Sequence, residues 1–196
     1  MPTDSAIPGD LVALGVLRGS YGLQGWSHVQ PLAADAQVLR TVRRWWLQAP
    51  AGRLTAAAAA ALGGSTAAPL ELSGLRAQGG GLVAKWKGCD DPEAAQALKG
   101  CTVAVARSDF PPPGPDQYYW VDLVGLQVIN RQEQVLGWVR GLRSNGAHDV
   151  LEVAAESAGS NAGATANDRL IPMVASYIDG IDIAARRIRV DWQADW

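Results

Sequence analysis

The sequence has little of the chemistry from which metal and cofactor sites are built. Its 196 residues contain two cysteines, Cys89 and Cys101, and two histidines, His28 and His148. A tetrahedral zinc site would need all four from scattered positions, and no CxxC or HxxxH spacing supports one. We therefore expect no metal and no other cofactor, and we interpret both cysteines as packing residues.

Motifs of nucleotide and nucleophile chemistry are also missing. No G-x-x-x-x-G-K-[ST] loop is present, and the glycines of residues 15–25 are not spaced as G-x-G-x-x-G. Ser20 lacks the first glycine of a G-x-S-x-G elbow, because position 18 is arginine. His148 and Asp149 are adjacent, so in a strand they point to opposite faces rather than pairing as base and orienting acid. The sequence thus disfavours an enzyme, and a small hydrolase that depends on His148 is the weakest alternative.

Long apolar runs are absent as well. The longest, Ala56 to Leu62, is far too short to span a membrane, and Met1 to Gly9 contains neither the basic nor the apolar part of a secretory signal. Two cysteines give no disulfide framework and suit a reducing compartment. We expect a cytoplasmic protein without a membrane partner.

Charge of one sign is not in large excess, and the net charge is -2. Binding of DNA or RNA through a uniformly basic surface is therefore excluded. Residues 1–115 hold ten basic and eight acidic side chains, and residues 116–196 hold seven and eleven, which gives +2 and -4. An acidic second half suits a basic protein partner, since complementary fields steer association. A merely solvated acidic surface is the alternative.

What is present is a series of short strand-like runs separated by turn residues. Those of the first half are Leu11 to Leu17, Trp26 to Gln30, Arg44 to Gln48, Leu70 to Leu75, Leu82 to Trp86 and Thr102 to Ala106. Those of the second half are Leu126 to Ile129, Val135 to Leu142, Val150 to Val153, Leu170 to Met173 and Arg187 to Val190. The first set predicts an antiparallel barrel or sandwich, and the second set predicts another mainly β domain.

Proline and glycine divide these runs into domains and loops. Residues 108–116 contain four prolines, which lack amide donors and fix φ, so we expect a semi-rigid linker between domains at residues 8–107 and 117–196. Ser144-Asn145-Gly146-Ala147 predicts a hairpin, because Asn-Gly tolerates positive φ. Two small-residue runs predict poorly ordered loops, Ala56 to Ala61 and Gly159 to Asn167.

One short helix is predicted near the end of the first domain. Asp91-Pro92-Glu93 provides an N-cap, a proline at the first helical position and an early acid, and Gly100 follows the helix. Asp90 is the alternative cap. Four tryptophans lie in strand-like contexts where packing in a core is the default, and these are Trp45, Trp46, Trp86 and Trp138.

Two segments are candidates for binding. The run from Gly15 to Gly25 has glycines that let a phosphate or another backbone approach closely, although a tight barrel corner would need them equally. Arg18 beside the exposed amides suits contact with phosphate. The second segment, Tyr118-Tyr119-Trp120, has three aromatics that cannot all face one core, so at least one is an interface anchor or packs between the domains.

These segments resemble the RimM family of ribosome maturation factors. The resemblance rests on the glycine-rich opening, Ala97-Leu98-Lys99-Gly100, Tyr118-Tyr119-Trp120-Val121-Asp122-Leu123, Gly146-Ala147-His148-Asp149-Val150-Leu151 and Leu170-Ile171-Pro172, in this order across nearly the whole chain. Only the double-tyrosine block is specific by itself. The sequence departs from the family at residues 50–81, at residues 159–167 and at Met173, where an aromatic is more usual.

The resemblance implies a mainly β fold, with a first barrel similar to those of translation factors and a second of the PRC-barrel type. It implies a monomeric, non-enzymatic factor that binds the free small ribosomal subunit, contacts its head ribosomal protein nineteen, and supports head assembly and ribosomal RNA processing. The family's paired tyrosines fall on Tyr118 and Tyr119, and we add Trp120 and Asp122 beside them. Contacts with RNA or the ribosome are expected from Arg18, Gly19, Tyr21, Gly22, Leu23 and Gly25. A PRC-barrel adaptor unrelated to ribosomes is the alternative.

Overall fold

The computed structural model describes residues 7–32, 34–49, 62–65, 67–115, 117–144, 146, 148–155 and 168–193, without the side chains of residues 34 and 35. The chain divides into two units, Met1–Pro112 and Pro113–Trp196. The loops predicted at Ala56 to Ala61 and Gly159 to Asn167 lie outside the described residues.

The first unit is a closed six-stranded barrel with the strand order β1-β2-β5-β4-β3-β6. Its strands are β1 (Leu11–Tyr21), β2 (Trp26–Pro31), β3 (Arg44–Gln48), β4 (Ala67–Gln78), β5 (Gly81–Trp86) and β6 (Thr102–Ala106). β6 pairs with β1 and closes the barrel. The 3-10 turns Ala34–Arg40 and Arg107–Asp109 complete the unit, together with one helix.

The barrel core contains two tryptophans from β3 and β5, the strands on either side of β4. Trp45 of β3 and Trp86 of β5 are fully buried and meet edge to face, with ring centroids 5.5 Å apart. The indole Nε1 of Trp86 donates to the hydroxyl of Ser27, which is the buried polar side chain of β2. Trp46 is also buried, in a separate small cluster with Ala67 and Ala104. Trp45 and Trp46 are adjacent in β3 and project from opposite faces of the strand, and both side chains are buried.

The predicted helix is present as α1 (Pro92–Ala97). Asp91 is its N-cap, because the Asp91 carboxylate accepts a hydrogen bond from the Ala94 amide at 2.7 Å. Asp90 instead forms an ion pair with Lys85 at 3.0 Å. The sequence left both aspartates open as the cap, and the geometry selects the one directly before the proline.

The segment after β6 is attached to the first unit. Phe110 is buried, and the guanidinium of Arg107 lies 5.0 Å from its ring centroid. The amide of Ser108 donates to the Asp10 carboxylate at 2.9 Å, and this hydrogen bond lowers the pKa of Asp10. Residues 108–110, which the sequence assigned to the linker, thus pack against the first unit.

The second unit contains one six-stranded sheet in the order β10-β9-β8-β7-β12-β11. Its elements are α2 (Trp120–Leu123), β7 (Gln127–Asn130), β8 (Val135–Ser144), β9 (Asp149–Ala154), β10 (Arg169–Pro172), β11 (Ile178–Asp182) and β12 (Arg187–Val190). Pairing is antiparallel except between β7 and β12, which are parallel. β8 and β9 pair from Ser144 with Asp149, as expected for the predicted hairpin.

The sheet wraps around a single core, to which both end strands contribute. Ile171 of β10 is fully buried there, and Ile178 and Ile181 of β11 pack against the same cluster. Only residues 173–177 connect these two end strands. The prediction of a mainly β chain with two small barrel domains is confirmed. The sequence had not indicated β11 or α2, and Trp138, expected in the core, is only half-buried.

Candidate functional site

The first candidate segment forms the end of β1 and the turn into β2. Gly19, Gly22 and Gly25 all have positive φ, at 126°, 66° and 72°. A β-carbon at Gly19 would lie 2.6 Å from the side-chain oxygen of Gln96 on α1, and one at Gly25 would lie 2.1 Å from the carbonyl oxygen of Cys89. These two glycines are buried, and they let α1 and the chain before it pack directly onto the hairpin.

The exposed part of the hairpin is Tyr21 to Gln24. Leu23 is 83% exposed, and Gly22 has open space where a side chain would project. Arg18 is exposed at a β-bulge, and its Nε donates to the side-chain oxygen of Gln30 at 2.5 Å. Of the six residues predicted to contact RNA or the ribosome, Arg18, Tyr21, Gly22 and Leu23 are therefore accessible, whereas Gly19 and Gly25 shape the hairpin.

The second candidate segment, Tyr118-Tyr119-Trp120, leads into the single turn of α2, and all three rings are half-buried. Tyr118 packs against the core of the second unit. Tyr119 is the N-cap of α2 through its backbone, and its carbonyl accepts from the amide of Asp122 at 3.0 Å. The three aromatics thus divide their areas between the core and the surface, as three consecutive rings must.

A hydrogen bond that the sequence did not reveal fixes Trp120. Its indole Nε1 donates to the Asp149 carboxylate at 3.1 Å, and the Asp149 carbonyl accepts from the amide of Met173 at 2.8 Å. Asp149 therefore connects α2, β9 and the end of β10. The sequence offered Asp149 as a neighbour of His148 and as part of a family motif, but nothing in the spacing of residues 120 and 149 indicates that they are in contact.

The carboxylates of the second unit are largely paired with arginines of the same unit. Within its described part eight acidic side chains face seven arginines, and Asp116, Glu156 and Asp195 lie outside that part. The ion pairs join Arg131 to Asp179 and Asp191, Arg140 to Glu152 and Asp168, Arg143 to Glu152, and Arg189 to Glu133. The negative field over the described surface is consequently weaker than the -4 of the sequence suggests.

The Arg131 pairs border a shallow depression of about 280 Å³ beside β11 and β12. It is lined by Ile129, Asp179, Gly180, Ile181, Asp182, Arg187 and Arg189. The guanidinium of Arg131 holds the pKa of Asp179 below its usual range, and it does so chiefly by hydrogen bonding. This depression carries charge of both signs, which is typical of a structural ion-pair network.

The described residues contain no candidate metal site, and their two thiols are buried. No group of three or more His, Cys, Asp or Glu side chains among them could hold a metal ion. Both cysteines are buried, and desolvation raises the pKa of each thiol, which keeps it protonated. No helix in the same part of the chain is both long and apolar enough to cross a membrane.

Comparison with known proteins identifies the two units. A family model described as the RimM N-terminal domain matches residues 12–110, and one described as the RimM PRC barrel domain matches residues 120–196. The chain belongs to the RimM family. Together the two matches cover the segments that carried the resemblance in the sequence, except Tyr118 and Tyr119, which lie between them.

Individual RimM proteins match along nearly their full length. The ribosome maturation factor RimM of Verminephrobacter eiseniae is 43% identical over 193 residues, which are 98% of this chain and 94% of the relative. That of Polaromonas naphthalenivorans is 37% identical over 194 residues, which are 99% and 95%. A crystal structure of a 16S ribosomal RNA processing protein RimM from Pseudomonas aeruginosa is 34% identical, covers 95% of this chain and 100% of its own, and has a TM-score of 0.42.

Membership of the RimM family gives this protein a role in ribosome maturation. It does not by itself select the residues that touch a ribosome. Leu23 of the first-unit hairpin is exposed, and the Tyr119-Trp120 turn of the second unit is half-buried, so both candidate segments have accessible area.

Proposed function

We propose that this protein is a non-enzymatic, monomeric and cytoplasmic assembly factor that binds the free small ribosomal subunit. It assists assembly of the subunit head and processing of small-subunit ribosomal RNA. Its second unit binds the head ribosomal protein nineteen, and its first unit approaches RNA. The observation that carries this proposal is the half-buried aromatic turn Tyr119-Trp120, held at the surface of the PRC-barrel unit by Asp149.

The aromatic turn has the properties of an interface anchor. Tyr and Trp bury much area with few rotatable bonds and keep one polar atom for a partner or for water. The Trp120 indole is fixed before binding because its Nε1 donates to Asp149, so little conformational freedom remains to be lost on association. Tyr118, the residue before this turn, packs against the core of the second unit and so anchors the turn to that core.

The charge of the second unit supports the assignment of a basic protein partner to that unit less strongly than the aromatic turn does. Most carboxylates of the described second unit already pair with its own arginines, so long-range attraction of a basic protein is modest. Asp122 lies on the aromatic turn and provides a local acid for a basic partner. We therefore expect binding to depend mainly on contact with the rings and only secondarily on ionic strength.

Co-sedimentation of the intact protein with purified free small subunits tests the proposal. Tyr119→Ala should weaken binding about thirtyfold, which corresponds to about 2 kcal/mol for an interface anchor. Tyr177→Ala is the matched control, because Tyr177 is another half-buried tyrosine of the second unit, with its ring 5.2 Å from that of Trp192. Equal binding by wild type and Tyr119→Ala would contradict the proposed interface.

A second measurement identifies the partner. Purified head protein nineteen should be retained by the wild-type protein and retained less by the Tyr119→Ala variant. Capture of small subunits without capture of this protein would move the contact to RNA or to another head component. A wild-type protein that does not follow small subunits at all would favour an adaptor role outside the ribosome.

A further inference from the structure

The outer face of the first barrel carries a row of aromatic and basic side chains. In β2 the side chains of Ser27 and Val29 are buried inside the barrel, so the alternation of the strand directs those of Trp26 and His28 outward. Tyr21 of β1 is the cross-strand partner of Trp26 on one side, and Lys85 of β5 is its partner on the other. Cross-strand partners share a face of the sheet.

Direct contacts join these side chains into one surface. The rings of Tyr21 and His28 meet edge to face, with centroids 4.9 Å apart, and the Arg76 guanidinium lies 4.5 Å from the centroid of the Trp26 ring. Gly74 of β4 permits this arrangement, because a β-carbon there would lie 2.7 Å from the edge of the indole. We name Tyr21, Trp26, His28 and Arg76 the outer stripe.

Basic side chains lie within the outer stripe and beside it. Arg18 and Arg76 are exposed, and Arg18 reaches over the same face to the side chain of Gln30. Lys85 is half-buried, and its ammonium group pairs with Asp90 and donates to the carbonyl of Gln24 at 2.8 Å. Among the described residues, Arg18, Arg76 and Lys85 thus provide three cations on this face, and one of them, Lys85, pairs with a carboxylate. In the second unit, by contrast, four of the seven described arginines form ion pairs with its own acids.

We propose that the outer stripe binds unpaired RNA bases. Aromatic rings and a guanidinium plane on a sheet face accept stacked bases of any sequence, and neighbouring cations neutralise the phosphates between them. A paired duplex conceals its base faces and would need a broader basic surface, which a chain of net charge -2 does not supply. This inference rests on the proposed function, and it assigns the RNA contact of the first unit to the stripe rather than to the hairpin glycines.

The test measures fluorescence anisotropy of the full chain with a labelled, unstructured RNA and with a duplex of the same composition. The unpaired RNA should bind more tightly than the duplex. Trp26→Leu, Tyr21→Leu and Arg76→Gln should each weaken binding of unpaired RNA about tenfold. Arg18→Gln should lower the dependence of log affinity on log salt by about 0.7, the value for one phosphate contact on a single strand.

Arg187→Gln is the matched control, since it removes the same charge from an exposed arginine of the second unit. It should bind unpaired RNA like the wild type. Tyr21→Leu and Arg76→Gln change exposed side chains, so they decide the matter even if Trp26→Leu fails to fold. Wild-type affinity in both of these variants, or equal affinity for duplex and unpaired RNA, would overturn the outer stripe as the site.

Co-sedimentation with free small subunits separates this inference from the proposed function. A wild-type protein that follows small subunits but does not bind unpaired RNA would overturn the stripe alone. Binding of unpaired RNA that is lost in the stripe variants, by a protein that does not follow small subunits, would overturn the proposed function alone. Stripe variants that lose head protein nineteen but retain RNA would show that the stripe is a protein interface.

Discussion

The two units are both small, mainly β folds, yet they differ in how they use charge. In the second unit Arg131, Arg140 and Arg143 all pair with carboxylates of the same unit. In the first unit Arg76 instead lies over an indole, and Arg18 binds a neutral glutamine. The first unit does form ion pairs through Lys85 and Lys87, but its exposed Arg18 and Arg76 contact a neutral and an aromatic side chain instead. The net charges of residues 1–115 and 116–196, +2 and -4, do not reveal this difference in ion pairing.

The units are alike in that each contains a buried glycine with no room for a side chain, and substitution there should produce the largest effect. A β-carbon at Gly25 would lie 2.1 Å from the Cys89 carbonyl oxygen, and one at Gly137 would lie 2.1 Å from the Ala154 carbonyl oxygen, both at positive φ. We expect Gly25→Ala or Gly137→Ala to destabilise its own unit by about 3 kcal/mol or more. Urea unfolding followed by separate probes in each unit measures this effect.

Gly22→Ala is the control for these substitutions, because Gly22 has positive φ but open space. It should cost only about 1 kcal/mol. A loss of both units on changing either buried glycine would show that they fold as one body, which would contradict our proposal of two independent domains.

The boundary between the units can be sharpened by truncation. A first-unit fragment that ends at residue 107 lacks buried Phe110 and the Ser108–Asp10 hydrogen bond, whereas one that ends at residue 112 keeps both. We expect the shorter fragment to be less stable by about 3 kcal/mol, mainly from loss of the phenylalanine ring. Thermal unfolding of both fragments measures the difference. Equal stability would mean that residues 108–110 serve only as linker.

The aromatic segment should separate stability from binding. Tyr118 packs against the core of the second unit, so Tyr118→Ala should lower the free energy of unfolding by about 2 kcal/mol. Tyr118→Phe keeps the ring and should lose less than about 1 kcal/mol. Denaturant unfolding of the two variants measures both values. If Tyr118→Ala left stability unchanged and abolished subunit binding, Tyr118 rather than Tyr119 would be the anchor.

Acid should have the smallest effect, and it should act on both units. Hydrogen bonds from Ser108 and from Arg131 lower the pKa of Asp10 and of Asp179, respectively. A lowered native pKa gives stability that is present above the unfolded aspartate value of about 3.9 and is lost as the pH falls through the native pKa. Asp10→Asn should remove part of this acid dependence from the first unit only. If the stability of the first unit depended on pH identically in the variant and the wild type, this expectation would be wrong.

The mainly β class, the strands of the first barrel, the position of α1 and the family could all be predicted from the sequence. These features follow from local alternation, turn residues, capping chemistry and a set of motifs in fixed order. The sequence did not predict β11, where Gly180 interrupts a short run of charged and apolar residues. Nor did it predict α2, which is a single turn. Elements this short are held by their neighbours more than by their own sequence.

The exposure or burial of each candidate residue follows from the tertiary structure and could not be read from local sequence. Gly19 and Gly25 were candidate ligand contacts, but Gly19 is buried against Gln96 of α1 and Gly25 against Cys89 in the chain before α1. Trp120 forms a hydrogen bond with Asp149, which is 29 residues later in the sequence. Trp26 of β2 contacts Arg76 of β4, with β5 paired between these two strands, and no local sequence pattern encodes this arrangement. The physical reason is that burial and charge pairing depend on strand neighbours distant in sequence, whereas propensity and capping depend on residues only a few positions apart.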